Sequence, residues 1–425
     1  MYNLISFVGL FVLMGLAWLF STNRKVINWH LIAWGLGSQF VFALFIFAVP
    51  AGTKLFLWIN DLVIQVLDSA SAGTRFLFGR LALPPGTTSE TGETSLGFIL
   101  AFQALPSIVF FSALMAILYY FNIMPRLIKA FAYFFTRFMR ISGAESLCAS
   151  SNIFVGIESA LTIRPHLQDM TRSELCTILT AGMATVASNV MAIYVFSLQE
   201  YFPTIAGHLI SASILSAPAA LIMSKLLLPE TESPKTLGEH VEPHYERERS
   251  LFEAIINASN TGVKLIVGIA ALLLSVLGLV ALIDLILNAA GSRINDIFGI
   301  HFEWTLKGWL GYLAFPFALI IGVPPADAFE IGRLIGERVI VTEVVAYQDL
   351  ALLLKNQALQ HPRSAIVAAY ALCGFAHVSS MAIFVGGIAA LAPGKAHDLG
   401  QVALRALLAA TLATLMTAAM AGIFA

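Results

Sequence analysis

Two carboxylates stand where a carboxylate is costly. Glu158 lies in the run Asn152–Pro165 and Glu343 in the run Gly322–Tyr347, both inside largely apolar stretches. A charged side chain at bilayer depth costs about 2.5–3.5 kcal/mol on insertion scales, so each must face a wet cavity, a ligand or a partner. A buried carboxylate accepts strong hydrogen bonds from hydroxyls and attracts cations, so either residue suits a substrate or ion site. The alternative for Glu158 is an interhelical ion pair, with Arg164 as one candidate. His377 sits in a Gly- and Ser-rich interruption, Gly374–Ser380, of an otherwise apolar segment. A lone histidine there is commonly a packing residue. Facing Glu343, it would titrate jointly with it, and a proton could take part. Asn152 and Thr185 offer neutral oxygens. With backbone carbonyls freed at helix breaks they make a donor set for desolvated Na+, or else simple interhelical hydrogen bonds.

Other candidates carry less. His240, Glu242 and His244 form H-x-E-x-H, not the metalloprotease H-E-x-x-H, within a polar segment, and are expected to be solvated rather than metal-bound. Cys148, Cys176 and Cys373 lie in apolar stretches without C-x-x-C spacing and read as small buried hydrophobes. There is no Walker motif, G-x-S-x-G elbow or Ser-His-Asp set, so ATP-driven transport and hydrolysis are not indicated, and no cofactor is implied.

The elements that hold these residues must be membrane helices. Of 425 residues, 58% are apolar and 12% charged, with mean hydropathy +0.84. Ordinary soluble domains carry about 25% charged residues. These figures exclude a soluble enzyme and a disordered chain, and a net charge of −1 gives no pull toward nucleic acid. Spans are expected at Tyr2–Phe20, read as retained rather than a signal peptide, and at Leu31–Val49, Phe98–Tyr120, Leu175–Leu198, Ile205–Leu228, Gly262–Leu287 and Val402–Phe424. Trp304–Val323 is apolar and proline-bearing, and Ala365–Leu391 is apolar but interrupted. Thr53–Phe78 has an apolar face opposite Asn60, Asp61, Gln65 and Asp68, as in a helix lying along the interface. A polar loop, Pro84–Ser95, follows it, and Ser292–Glu303 is a short outer segment. Arg24 and Lys25, and the basic amphipathic stretch of Arg126, Lys129, Arg137 and Arg140, belong on the cytoplasmic side, which puts both termini outside. The segment Pro229–Arg249 is a cytoplasmic linker. The chain thus divides into 1–96, 97–229, a linker at 230–250, and 251–425.

Ser146–Met170 and Pro324–Leu354 are too polar for simple spans. Each reads as a re-entrant hairpin, two half-length helices meeting at a tip, the first near Gly156 and the second near Val341–Val344. Each is followed by an apolar helix with polar residues at its middle, Thr185, Ser188 and Asn189 in one half and His377, Ser379 and Ser380 in the other. By charge topology the two hairpins enter from opposite sides. An inverted repeat with broken helices is the architecture of secondary transporters, which bind substrate near the midplane.

The runs themselves resemble one family. ALCGFAHVSS (Ala371–Ser380) with GGIAALAPG (Gly386–Gly394) is similar to the ALCGFANxSS…GG signature of concentrative nucleoside transporters. Gly322–Tyr347 resembles that family's GVP…NEFVAY hairpin, NIFVGIESALTIRP (Asn152–Pro165) its NxFxGQTEAPLLxRP hairpin, and GMATVASNVMAIY (Gly182–Tyr194) its GMAxxAGSVxxxY helix. The resemblance runs from about residue 97 to the end. It implies an all-α polytopic membrane protein with eight transmembrane helices, two re-entrant hairpins and interfacial helices. It further implies a homotrimer in lipid whose transport domain moves like an elevator, in a bacterial inner membrane.

The implied activity is import of nucleosides coupled to Na+, with H+ as the alternative ion; a non-transporting gate-type protein is the alternative class. The resemblance places ribose on Glu343, His377 and Ser380 beside Phe375, the base near Ile157, Glu158 and Val190, and sodium on Asn152, Val155, Thr185 and Val186. Two departures bear on selectivity. The first tip is one residue short and lacks the base-reading Gln, with Ile157 in the place of Thr, and His377 replaces Asn, so a modified nucleoside is an alternative substrate.

Overall fold

The computed structural model describes residues 1–89, 92–156, 158–245, 248–299 and 303–425. Among them there are helices, loops and two isolated bridges, Thr88 with Thr94 and Ser142 with Leu237. Eight helical stretches are long and apolar enough to cross a membrane, so the protein is an all-α polytopic membrane protein.

A helix–turn–helix stands at the second expected hairpin and a helix with an irregular return at the first. The second follows expectation. Helices Pro325–Ile340 and Glu343–Lys355 meet at Val341–Thr342, where the Thr342 hydroxyl caps the amide of Val345. In the first, a capping box of Ser142 and Glu145 starts helix Gly143–Asn152. The expected half-length return helix is absent, and a short turn, Ser159–Thr162, leads into a 3-10 segment, Arg164–Asp169. Pro165 has no amide proton to give the Leu161 carbonyl, so an α-helix cannot run through this arm unbroken.

The helices after each hairpin break where polar residues interrupt them. Leu175–Leu198, expected as one span, is Arg172–Ala184 and Ser188–Leu198 with an extended link at Thr185–Ala187. The second is Pro362–Leu372 and Val378–Leu391, with the link at Cys373–His377.

The first helix, Tyr2–Leu19, acts as a ruler between the two hairpin roots. At its start Ser6 donates to the Ile321 carbonyl, and Arg363 reaches Asn3, Ser6 and the Gly322 and Gly422 carbonyls beside the second root. Just past its end Thr22 donates to the Leu227 carbonyl, near the foot of the first hairpin, where buried Lys225 and Glu145 pair at 2.5 Å. Eighteen residues of helix span about 27 Å, close to the hydrocarbon thickness. The roots of the two hairpins therefore lie beside opposite ends of a membrane-length helix.

Three further expectations change. The span Gly262–Leu287 is part of a 48-residue helix, Leu251–Phe298, about 72 Å long, whose apolar window lies wholly on the outside of the chain. It absorbs residues 292–298 of the expected outer segment and ends at Gly299, which adopts the left-handed conformation of a helix stop. Thr53–Phe78 lies in one helix, Pro50–Phe78, and Asn60 is not on a solvent face. It is buried, donating to the Pro203 carbonyl and accepting from the Gly207 amide. Its amide satisfies backbone groups that a buried loop would otherwise leave unpaired.

The linker is strapped down rather than free. The Thr236 carbonyl and hydroxyl accept from the amides of Gly143 and Ala144, and the His244 amide donates to the Thr162 carbonyl. Lys235 pairs with Asp169 at 2.7 Å, and that bond holds the Asp169 carboxyl below its usual range. Glu242 pairs with Lys129, and His240 stacks on Tyr133. The side chains of His240, Glu242 and His244 remain exposed, and no metal-binding cluster of His, Cys, Asp and Glu occurs among the described residues. The three cysteines are buried and unbridged.

Candidate functional site

The hairpin tips and helix breaks converge. The Ser188 amide, at the first break, donates to the Phe154 carbonyl of the first tip at 3.1 Å. A Cβ on Gly156 would stand 3.3 Å from the Ala187 Cβ, so any side chain there would make the tip or the break give by a few tenths of an ångström. Gly374, in the second break, has φ +126° and sits so near the Ala184 carbonyl oxygen (2.8 Å to an added Cβ) that no side chain fits. The carbonyls left open by the second break are taken up by the second hairpin. Fully buried Arg338 donates to Ala371 and Tyr347 donates to Ala369, each at 2.8 Å.

One cavity lies at this convergence. Glu158, Asn189, Val190, Glu343, Phe375, His377 and Ser380 line it, against an apolar wall of Leu265, Ile269 and Phe384. Glu343 is the first residue of its helix, where the positive helix end favours a carboxylate. Its Oε1 accepts from the Tyr194 hydroxyl at 2.8 Å, and the Tyr194 ring stacks on Tyr347 at 4.5 Å. Its Oε2 lies 2.8 Å from His377 Nε2 but off the line of that N–H, so it is a buried carboxylate oxygen with no aligned donor. His377 caps helix Val378–Leu391. Its Nδ1 accepts the Ser380 amide at 3.2 Å, and its Nε2 is 2.7 Å from the Ser380 hydroxyl.

Six of the residues singled out in the sequence, Glu158, Val190, Glu343, Phe375, His377 and Ser380, thus share one cavity. Ile157 lies outside the described residues. Val155 lines a second cavity on the linker side, which shares Gly156, Glu158 and Asn189 with the first. Asn152, Thr185 and Val186 are buried at the hairpin and helix breaks. The Asn152 carboxamide accepts from Ser159 and donates to the Cys148 carbonyl, Thr185 donates to the Ala181 carbonyl, and the Val186 carbonyl accepts from Ser213. Ser151 Oγ, next to Asn152, is buried without a hydrogen-bond partner.

Sequence reasoning gave no site role to Tyr194, Tyr347, Arg338 or Asn189. Tyr194 and Tyr347 do carry a signal, a polar hydroxyl inside an apolar run, which must find a partner when buried. Asn189 matters most. Its Oδ1 is buried and unpartnered, and the residue borders both cavities. A carboxamide offers donor and acceptor side by side and can read a planar heterocycle edge. Asn189→Ala is expected to change the order of affinity among ligands of this cavity by about tenfold, as one lost polar contact implies. Competition between ligands in a binding assay checks this; an unchanged order of competitors would remove Asn189 from the site.

Comparisons with known proteins give the family. Residues 8–81 and 208–422 match the family models described as Na+ dependent nucleoside transporter N-terminus and C-terminus, and residues 101–200 match the model described as nucleoside recognition. Mouse solute carrier family 28 member 3 is 36% identical over 99% of this chain and 59% of its own length, so the chain spans about three fifths of that relative. An uncharacterized transporter of Haemophilus influenzae is 37% identical, with 99% of this chain and 97% of that protein covered. Among solved structures, CNTnw in an inward-facing substrate-bound state is 35% identical with a TM-score of 0.89, covering 100% of this chain and 98% of that one. A CNTnw variant in an outward-facing state gives the same TM-score at 34% identity, with the same coverage. With a family model over half of the chain and the whole fold shared with CNTnw, the chain belongs to the Na+-dependent, or concentrative, nucleoside transporter family, a family of membrane transporters and not of enzymes.

Proposed function

We propose that the protein is a sodium-coupled symporter that imports nucleosides across the bacterial inner membrane. The observation that carries this reading is Glu343 Oε2, a buried carboxylate oxygen facing a cavity and lacking an aligned donor. A buried acceptor left unmade is costly, and a sugar hydroxyl is a donor of the right kind. Ribose then binds on Glu343, His377 and Ser380 beside Phe375, and the base lies toward Glu158, Asn189 and Val190, with Ile157 nearby in sequence.

Sodium is the coupled ion, held by Asn152 and Thr185 through side-chain oxygens and by Val155 and Val186 through the chain at the two breaks. Ser151 Oγ, buried and unpartnered, adds a neutral oxygen there. All of these are hard, uncharged donors, which suits an alkali cation. Because the tip and the break touch through Ser188 and Phe154, an ion that orders one orders the other and favours substrate; substrate favours the ion by the same factor. The re-entrant hairpins and broken helices move as one transport domain against a scaffold that includes the long helix Leu251–Phe298, in an elevator-type cycle within a homotrimer in lipid. The linker-side cavity is the route to the cytoplasm.

Uptake of labelled nucleosides into proteoliposomes, with sodium and pH gradients imposed separately, tests the reading. An inward sodium gradient is expected to drive accumulation that collapses when sodium is equalised, and a pH gradient alone is not. Absence of gradient-driven uptake of any nucleoside would refute it.

A further inference from the structure

We propose that Arg338 is a built-in cation that fills, in the second half of the repeat, the place sodium takes in the first, so that one sodium ion and not two moves with each substrate. The comparison with sodium rests on the ion reading above; the role of Arg338 as a fixed cation does not.

A helix that stops inside a membrane protein leaves an end that calls for positive charge. Helix Pro362–Leu372 stops at the second break, and its last turn leaves carbonyls without an amide partner in the helix. These carbonyls are the negative end of its dipole. In transporters with broken helices such an end coordinates the coupling cation.

Two side chains of the second hairpin close off this end. Tyr347 donates its hydroxyl to Ala369, and Arg338 donates Nη1 to Ala371, each at 2.8 Å. The same Nη1 reaches the Thr414 hydroxyl at 2.7 Å. Arg338 is 0% exposed, so no solvent screens its charge. Its Nε and Nη2 have no hydrogen-bond partner among the described residues. A hydrogen-bonding role alone would be met by a neutral donor, as Tyr347 shows. What the guanidinium adds is a charge that stays on at any working pH, set against a helix C-terminus and carried on the same hairpin as Glu343.

The two halves differ at matching positions. Thr185 closes helix Arg172–Ala184 at the first break, and Cys373 closes Pro362–Leu372 at the second. Asn152 stands six residues before Glu158 on the incoming side of its hairpin, and Arg338 five residues before Glu343. The first half therefore offers two neutral oxygens where the second offers a guanidinium and a sulfur. Sodium is a hard cation that takes oxygen ligands, and a thiol replaces them poorly. The charges divide in the same way. Neither of the two cavities that Glu158 borders has a lysine or arginine in its lining. A mobile ion has to supply positive charge on that side, whereas Glu343 shares its hairpin with a resident one.

In proteoliposomes, the sodium gradient that just balances an opposing nucleoside gradient at fixed membrane potential gives the coupling ratio. One sodium ion per nucleoside is expected of the wild type and of Arg338→Lys, and a ratio of two in either would overturn the proposal. Arg338→Met keeps the length of the side chain and removes its charge. It is expected to lose sodium-driven uptake and to melt at a lower temperature; wild-type uptake and stability in this variant would reduce Arg338 to a structural tie. Arg338→Ala makes room for a free ion. Guanidinium at millimolar concentration is expected to bring its melting temperature back toward the wild-type value, and urea, neutral and of similar shape, is not. Any other pattern of rescue overturns the cation role. Should neither uncharged variant fold, the coupling ratios of the wild type and Arg338→Lys still decide. If wild-type uptake ignores sodium, the ion reading of the first half fails, while the rescue by guanidinium against urea still shows whether the second half holds a fixed cation.

Discussion

Glu343→Gln is expected to lower nucleoside uptake by about a hundredfold or more, with the protein still folded. The change is nearly isosteric and removes only the charge and half of the acceptor capacity. Hydrogen bonds to a charged group are worth about 1.5–3 kcal/mol, and the sugar hydroxyl on Oε2 loses most of that. The amide also turns its NH2 either on the Tyr194 hydroxyl, which now donates at 2.8 Å, or on His377 Nε2, 2.8 Å away. The fold survives because the second hairpin has other ties. Arg338 and Tyr347 bind carbonyls of the second broken helix, and Asp327 at the root accepts from the amides of Gln360 and His361 and from the Ser364 hydroxyl. Uptake in proteoliposomes, beside the melting temperature of the purified variant, checks the prediction. Full activity in a stable Glu343→Gln protein would remove the sugar from this carboxylate.

Asn152→Leu is expected to abolish sodium stimulation of uptake, lowering sodium-driven transport at least tenfold. Leucine matches asparagine in shape and supplies no oxygen. The variant also leaves the Ser159 hydroxyl, 2.9 Å from Asn152 Oδ1, without its acceptor, a loss of about 1–3 kcal/mol that shows as a lower melting temperature. Thr185→Val separates the two effects. Its hydroxyl donates only within its own helix, to Ala181 at 2.8 Å, so stability changes little, and loss of sodium stimulation then reports the ion. Sodium-dependent stabilisation of the detergent-solubilised protein is the direct measure: the wild-type melting temperature should rise with sodium, and those of both variants should not. A variant that keeps the full sodium shift would take its residue out of the ion site.

The sequence alone determined the solvent and the positions of the interruptions. A chain with 12% charged residues has to live in lipid, and the few polar runs that violate this rule must be covered by protein. That logic placed the two polar hairpin segments, the polar interruptions of the helices after them and six of the cavity residues, because each rests on local cost: a carboxylate, a glycine or a proline where a continuous apolar helix would otherwise run.

Only the tertiary structure decided which polar groups satisfy one another. The burial of Asn60 against Pro203, the strapping of the linker onto Gly143 and Thr162 and the bond from Tyr194 to Glu343 all depend on partners far away in sequence. A hydrogen bond between residues more than a hundred positions apart leaves no periodicity to read. The same limit applied to the site. Glu343 and His377 were legible as unusual residues, but the buried carboxylate oxygen without an aligned donor exists only once the second hairpin sets Glu343 against His377 of the second broken helix.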